Sequence, residues 1–226
     1  MLRWENLPSY MQTEQVRPYY DILKKKAFSR FLKRAFDIFA SAALIALLWP
    51  VMVVVAIWIK CDSKGPVLYK SERVTAFGKT FKILKFRTMV QNADQKGALI
   101  TVSGDSRITR VGLKIRASRL DEIPQLFNVF SGQMSFVGTR PEVRRYVNAY
   151  TPEMYATLLL PAGVTSNASL AFKNEDEKMA ALVNSGLSVD KAYIEKILPE
   201  KMAYNLDYLK NFNFVSDIVT CIKTVF

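Results

Sequence analysis

The sequence predicts an α+β, membrane-associated monotopic fold. It combines a Pro-broken re-entrant helix near the N-terminus, a small β-hairpin or sheet and several amphipathic interfacial helices. Three observations predict it. Ile38 to Ile59 is an uncharged run, IFASAALIALLWPVMVVVAIWI, with Pro50 near its middle. Basic residues flank that run on both sides. Behind it, two short alternating segments joined through Gly78 give way to helix-like stretches. The 226 residues allow one or two small domains.

Residues 1–35 read as a basic amphipathic segment. Tyr20, Leu23, Ala27, Phe28 and Phe31 recur at helical spacing, with Lys24, Lys25, Lys26, Arg30, Lys33 and Arg34 around them. Residues 36–60 read as the membrane helix. As a straight helix the uncharged run spans ~33 Å, enough to cross a bilayer. A buried core helix is the bland alternative, but soluble cores rarely enclose a helix that is apolar all round. Proline removes a backbone donor and clashes with the preceding turn, so Trp49-Pro50 marks the expected break. A spanning helix should be basic mainly on its cytosolic side. Here Lys60, Lys64, Lys70 and Arg73 follow the run, so both ends are basic, which favours entry into one leaflet and return to the same face.

Residues 61–226 form the cytosolic unit. Val67–Val74 and Thr80–Arg87 alternate apolar and polar and read as a hairpin. Met89–Ala98 looks helical, Gly104-Asp105-Ser106 turns the chain, and Arg107–Arg119 reads as a basic helix. Ile123–Phe130 reads as a helix with Pro124 in its first turn, where proline is tolerated. Towards the end, Tyr204–Phe214 and Val215–Phe226 mix aromatic and polar residues and read as interfacial helices.

Composition narrows the chemistry. The chain has no histidine, which excludes the Ser/His/Asp triad, the HExxH zinc site and any histidine proton shuttle. Cys61 and Cys221 are too few and too far apart for a disulfide framework or zinc site and indicate a reduced compartment. The net charge of +12 is concentrated: residues 61–149 hold 16 Lys/Arg against 7 Asp/Glu, while residues 150–226 hold 7 against 9. An anionic ligand therefore belongs on the middle third.

Within that third, Asp121-Glu122 stands among Lys85, Arg87, Arg107, Arg110, Lys114, Arg116, Arg119 and Arg140. Adjacent carboxylates at a helix N-terminus can serve the helix dipole alone. They can also divide a reaction, one attacking phosphorus while the other holds a divalent cation or manages a proton. Arginine forks match phosphate oxygens bidentately. Arg140 is held in a tight turn between Gly138 and Pro141.

Four motifs carry a resemblance. Lys85-Phe-Arg-Thr-Met, Gly104-Asp-Ser-Arg-Ile-Thr-Arg-Val-Gly, Leu120-Asp-Glu-Ile-Pro-Gln-Leu-Phe-Asn-Val and Met134-Ser-Phe-Val-Gly-Thr-Arg-Pro-Glu occur in that order behind the Pro-bearing segment. In this the chain resembles the bacterial sugar transferases, the monotopic polyprenyl-phosphate sugar-1-phosphate transferases, over residues 30–170 and more loosely to the C-terminus. The resemblance implies a UDP-sugar donor, a membrane polyprenyl (undecaprenyl) phosphate acceptor, release of UMP and Mg²⁺, or Mn²⁺ in its place. It implies that Asp121 attacks the sugar-linked phosphate, giving a phosphosugar-aspartyl intermediate, and that Glu122 binds metal with Asp121 or activates the acceptor. Lys85, Arg87, Arg110, Arg116 and Arg140 would then bind phosphate or nucleotide, at the cytosolic face of a bacterial inner membrane. A homodimer is left open.

There are departures. The first proline of the family's Pro-Arg-Pro turn is Thr139, and its Ser-Pro break is Trp49-Pro50. After Pro161 the chain reads Ala-Gly-Val-Thr-Ser-Asn-Ala-Ser-Leu and then Lys173-Asn-Glu-Asp-Glu, where relatives continue Pro-Gly-Ile-Thr-Gly. A non-enzymatic binder of anionic lipid or nucleic acid is the alternative reading. Nucleic acid is disfavoured, because the basic residues are not interleaved with a stacking platform. An anchor for a partner enzyme is a third reading.

Overall fold

A computed structural model describes residues 1–91, 93, 105–172 and 174–225. Two short 3₁₀ turns open the chain, followed by α1 (Arg17–Lys25) and the 36-residue α2 (Ala27–Asp62). The hairpin is β1 (Leu68–Val74) and β2 (Thr80–Phe86), antiparallel, with Tyr69 opposite Lys85 and Arg73 opposite Phe81. Then come α3 (Arg110–Ala117), a 3₁₀ turn at Leu120–Glu122, α4 (Gln125–Phe130), β3 (Met134–Val137) and α5 (Arg144–Val147). A 3₁₀ stretch, Met154–Leu159, leads to β4 (Ala162–Thr165), which pairs parallel with β3. The chain ends in α6 (Asn167–Ala171), α7 (Glu175–Asn184), α8 (Val189–Ala192), α9 (Leu198–Lys210) and α10 (Phe214–Val225).

α2 departs from the expected helix–break–helix: it passes through Trp49 and Pro50 without leaving helical conformation. One proline forfeits one backbone hydrogen bond and crowds one carbonyl, and long helical flanks in apolar surroundings tolerate that loss. The expected boundary between residues 35 and 36 also falls inside this helix.

The first half of α2 is inside-out. Lys33, Asp37 and Ser41 are buried along one face, whereas Phe28, Phe31 and Phe39 on the opposite face are 72%, 67% and 75% exposed. The buried face is held by specific partners. Lys33 Nζ pairs with Asp217 Oδ2 at 2.7 Å and donates to the Val137 carbonyl at 2.7 Å. Asp37 Oδ1 accepts from Ser135 Oγ and Phe136 N–H, and Arg34 donates to the Val129 and Phe130 carbonyls. α10 shows the same inversion, with Asp217 and Thr220 buried and Val215, Val219 and Ile222 exposed. The far end of α2 returns to the same body. Val55 and Ile59 pack with Phe86, Val111 and Ile115, and Asp62 Oδ2 accepts from the Val111 N–H at the start of α3.

The main core lies away from this surface. Met11, Val16, Tyr19, Tyr20 and Leu23 are buried against Leu159, Leu198, Met202, Leu209 and Phe212. This corrects two expectations. The segment read as basic and amphipathic contributes Leu7, Met11, Val16, Tyr19, Tyr20 and Leu23 to the core, and the stripe from Tyr20 to Phe31 does not act as one face. The chain leaves helical geometry at Lys26 (ψ 34°), so Tyr20 and Leu23 turn inward while Phe28 and Phe31 turn outward. Near the C-terminus, Tyr208, Leu209 and Phe212 are likewise core residues, and the exposed apolar face belongs to α10. Of the expected helix 89–98, Met89 instead forms an antiparallel bridge to Ile108, and the stretch from 94 lies outside the described residues, as does Gly104 of the expected turn.

Candidate active site

Two connections bring β2 and the carboxylate pair together. Asn128 of α4 accepts from the Leu84 N–H at 2.9 Å and donates to the Lys82 carbonyl at 3.0 Å, completing the free edge of β2. On the other side Thr109 N–H bonds the Thr88 carbonyl, and Gly112 sits so close to that carbonyl that a Cβ would collide with it. α3 is thereby locked beside the end of β2. Between α3 and α4 the chain reverses at Arg119, a non-glycine residue with φ 53°, and presents Leu120-Asp121-Glu122 as one tight turn.

The two carboxylates have different partners. Glu122 Oε1 receives Lys85 Nζ at 2.6 Å and Arg140 Nη2 at 3.5 Å. Asp121 is buried and lines a cavity of about 550 Å³ between the hairpin, residues 87–91, Ala93 and α3. Arg73, Lys85, Arg87, Arg107 and Arg116 also line it, and Asp121 is the one carboxylate among the described lining residues. Burial, reinforced by the charge of Glu122, pushes the Asp121 carboxyl above its ordinary value, while Lys85 and Arg116 pull against that shift. For Glu122 burial pushes the same way, but Lys85 and Arg140 overcome it and hold the carboxyl down at about 2. Desolvation also lowers the Lys85 ammonium, with Glu122 opposing.

The remaining expected residues separate into three groups. Arg116 lies with Asp121 at the cavity. Arg140 reaches Glu122 from outside the cavity lining, and Arg110, the exposed first residue of α3, is not brought to it. Arg87 lines the cavity, yet its terminal nitrogens are engaged: Nη1 donates to the Lys64 carbonyl, and Nη2 to the carbonyl and hydroxyl of Ser63. Gly65, at φ 121°, lies against that guanidinium with no room for a side chain. Arg87 therefore clasps the exit of α2, with its buried Nε left unpartnered among the described residues. Arg73 was not expected. Its signal was the hairpin register, which puts alternate residues Tyr69, Ser71 and Arg73 on the Lys85 face. Arg107 is braced by Asp105 and the Ala93 carbonyl. The divergent segment after Pro161 forms β4 in the interior, and Lys173 lies outside the described residues.

No cluster of three or more potential metal ligands occurs among the described residues. The site nevertheless suits Mg²⁺, which commonly takes one or two protein carboxylates and completes its shell with substrate phosphates and water. Asp121 and Glu122 supply the carboxylates, and Glu122 Oε2 takes no donor among the described residues.

Comparison with known proteins identifies the family. The chain is 37% identical over 199 residues to the UDP-N-acetylgalactosamine-undecaprenyl-phosphate N-acetylgalactosaminephosphotransferase of Aeromonas hydrophila, covering 86% of this chain and 43% of that protein. It is 34% identical over 196 residues to a UDP-glucose:undecaprenyl-phosphate glucose-1-phosphate transferase of Caulobacter vibrioides, covering 85% and 68%. Against the Escherichia coli protein of that same name it is 30% identical over 214 residues, covering 93% and 43%. The chain thus spans less than half the length of two of these three relatives. The bacterial sugar transferase profile matches residues 28–226, which hold the carboxylate pair, its cations and all of α2 but its first residue, and the chain belongs to that family.

Proposed function

We propose that this chain transfers sugar-1-phosphate from a UDP-sugar to undecaprenyl phosphate at the cytosolic face of a bacterial inner membrane, releasing UMP. The observation that carries the reading is the division within the pair: Asp121 faces a cation-lined cavity, while Glu122 is held by Lys85 and Arg140. A carboxylate oxygen of Asp121 attacks the phosphorus bonded to the sugar, and the bond to the bridging oxygen of UMP breaks. Arg107, Arg116 and Lys85 neutralise the charge that develops on the departing nucleotide. An oxygen of the lipid phosphate then attacks the same phosphorus, which frees Asp121 and leaves a polyprenyl-diphosphate-linked sugar. Mg²⁺ or Mn²⁺ bound by Asp121 and Glu122 would add charge neutralisation at the diphosphate.

Two structural facts support a membrane setting and re-entrance. The exposed apolar residues concentrate on α2, on α10 and at Phe127 and Phe130 of α4, elements that pack together, and exposed apolar residues so gathered mark a membrane or interaction face. Residues 33–41 and 55–62 at the two ends of α2 both pack on the same body, leaving the stretch between them to enter lipid.

The test uses purified protein in nanodiscs with Mg²⁺ and a panel of UDP-N-acetylgalactosamine, UDP-glucose and UDP-galactose, without acceptor. Up to one equivalent of UMP and a phosphosugar mass on the Asp121 peptide are expected, both absent in Asp121→Asn. Turnover that requires acceptor and never yields the adduct would replace the two-step route by direct transfer. No reaction even with undecaprenyl phosphate would overturn the transferase reading.

A further inference from the structure

The N-terminal segment ahead of residue 28, which the family profile does not cover, builds most of a second groove, away from the cavity at Asp121. The groove has a volume of about 610 Å³ and draws cations from three places: Arg3 beside the first turn, Arg17 and Lys24 on α1, and Arg30 on α2. Trp4 and Tyr20 form its wall, with their rings edge-on at 5.1 Å. Arg17 lies over Trp4, 4.7 Å from the ring centre, and its Nε pairs with Asp21 at 3.2 Å. Arg30 Nε is fixed to the Leu23 carbonyl at 2.9 Å, which leaves its Nη atoms without a protein partner among the described residues. Arg3, Lys24 and Arg30 have no carboxylate partner within that set, and Glu5 is the single acidic residue lining the groove. The groove is thus built, cationic and largely unneutralised.

Its position supplies the second argument. Arg30 stands between Phe28 and Phe31, which project from the other side of the same helical turn and are strongly exposed. When those rings enter lipid, the groove lies at headgroup depth. An aromatic wall with arginine and lysine around it suits a group that is anionic at one end and apolar at the other. The geometry points to a site for the phosphodiester headgroup of an anionic phospholipid, distinct from the cavity at Asp121. It would fix the depth and tilt of the segment that feeds α2.

The experiment is native mass spectrometry of the full chain in detergent, titrated with phosphatidylglycerol, phosphatidylcholine or inorganic phosphate. One phosphatidylglycerol adduct is expected, bound about tenfold more tightly than phosphatidylcholine. Arg17→Ala/Lys24→Ala is expected to weaken it about tenfold, and the exposed Lys79→Ala to leave it unchanged. Lys24→Glu, at an exposed residue with no side-chain partner among the described residues, gives a second variant with little risk to folding. Equal retention of the two lipids, or phosphatidylglycerol retention unchanged in both groove variants, would overturn the site. Binding of inorganic phosphate as tight as that of the lipid would make it a free-anion groove instead. The readout contains no transferase step, so failure here is distinguishable from failure of the transfer reading.

Discussion

Asp121 and Glu122 are neighbours of nearly the same chemistry, and their surroundings move their acidities in opposite directions. Such a separation lets one site draw two roles from two carboxylates. In the proposed reaction only ionised Asp121 attacks phosphorus, so kcat/KM should fall on the acid side at a higher pH than an ordinary aspartate would give. Glu122 should stay ionised down to about 2. A pH–rate profile reads that limb, and a limb at or below the ordinary aspartate value would exclude Asp121 as the titrating group. A raised folded-state pKa also means that the folded chain holds this proton more readily than the unfolded chain does. Ionised Asp121 therefore costs stability, and the cost grows as pH rises through the window between the two values. Asp121→Asn is expected to lower turnover by roughly 10³-fold or more without lowering Tm. A Tm drop of several degrees would mark the carboxylate as structural. The dyad was legible because its flanking residues form an extended motif. The distribution of arginines was not, because register and helix phase decide which of them reach the cavity: Arg73 does and Arg110 does not.

Between elements, the seam joining α2 to α10 is polar on the inside, and its central pair is Lys33–Asp217, with both side chains under a tenth exposed. Tyr208 donates to the second oxygen of Asp217 at 2.9 Å, so the pair is enclosed by hydrogen bonds. Removing one member strands the other charge. Asp217→Asn is expected to cost about 3–5 kcal/mol in denaturant unfolding in detergent, with Lys33→Met/Asp217→Leu recovering most of it. If the double variant were as unstable as the single one, the pair would carry no coupling. Hairpin and seam differed in how far they could be foreseen. β1 and β2 showed seven-residue alternation around a glycine turn, which is enough pattern to read. β3 and β4 are four residues each, too short for periodicity, and their parallel pairing depends on residues far apart in sequence. In the sequence Lys33 is one basic residue among several ahead of the apolar run, and only the folded partners show that it and Asp37 face inward.

At the scale of the whole molecule, the proposed re-entrance would place both ends of α2 on one side of the bilayer. In a Cys221→Ser background, native Cys61 and an introduced Lys25→Cys should both react with a membrane-impermeant maleimide from the cytosolic side and neither from the other. Modification from opposite sides would replace re-entrance by a span. The inverted helix also constrains the order of events during synthesis. Lys33 leaves the ribosome 184 residues before its partner Asp217 exists, and the acceptor groups at Val129, Phe130 and Val137 also come later. An unpaired ammonium is costly in hydrocarbon. In the proposed membrane setting, the apolar stretch after Phe39 can enter lipid as soon as it emerges, but the charged turns before it wait at the surface until α10 supplies Asp217. Final seating in the bilayer would then be a late step of folding, completed by α10.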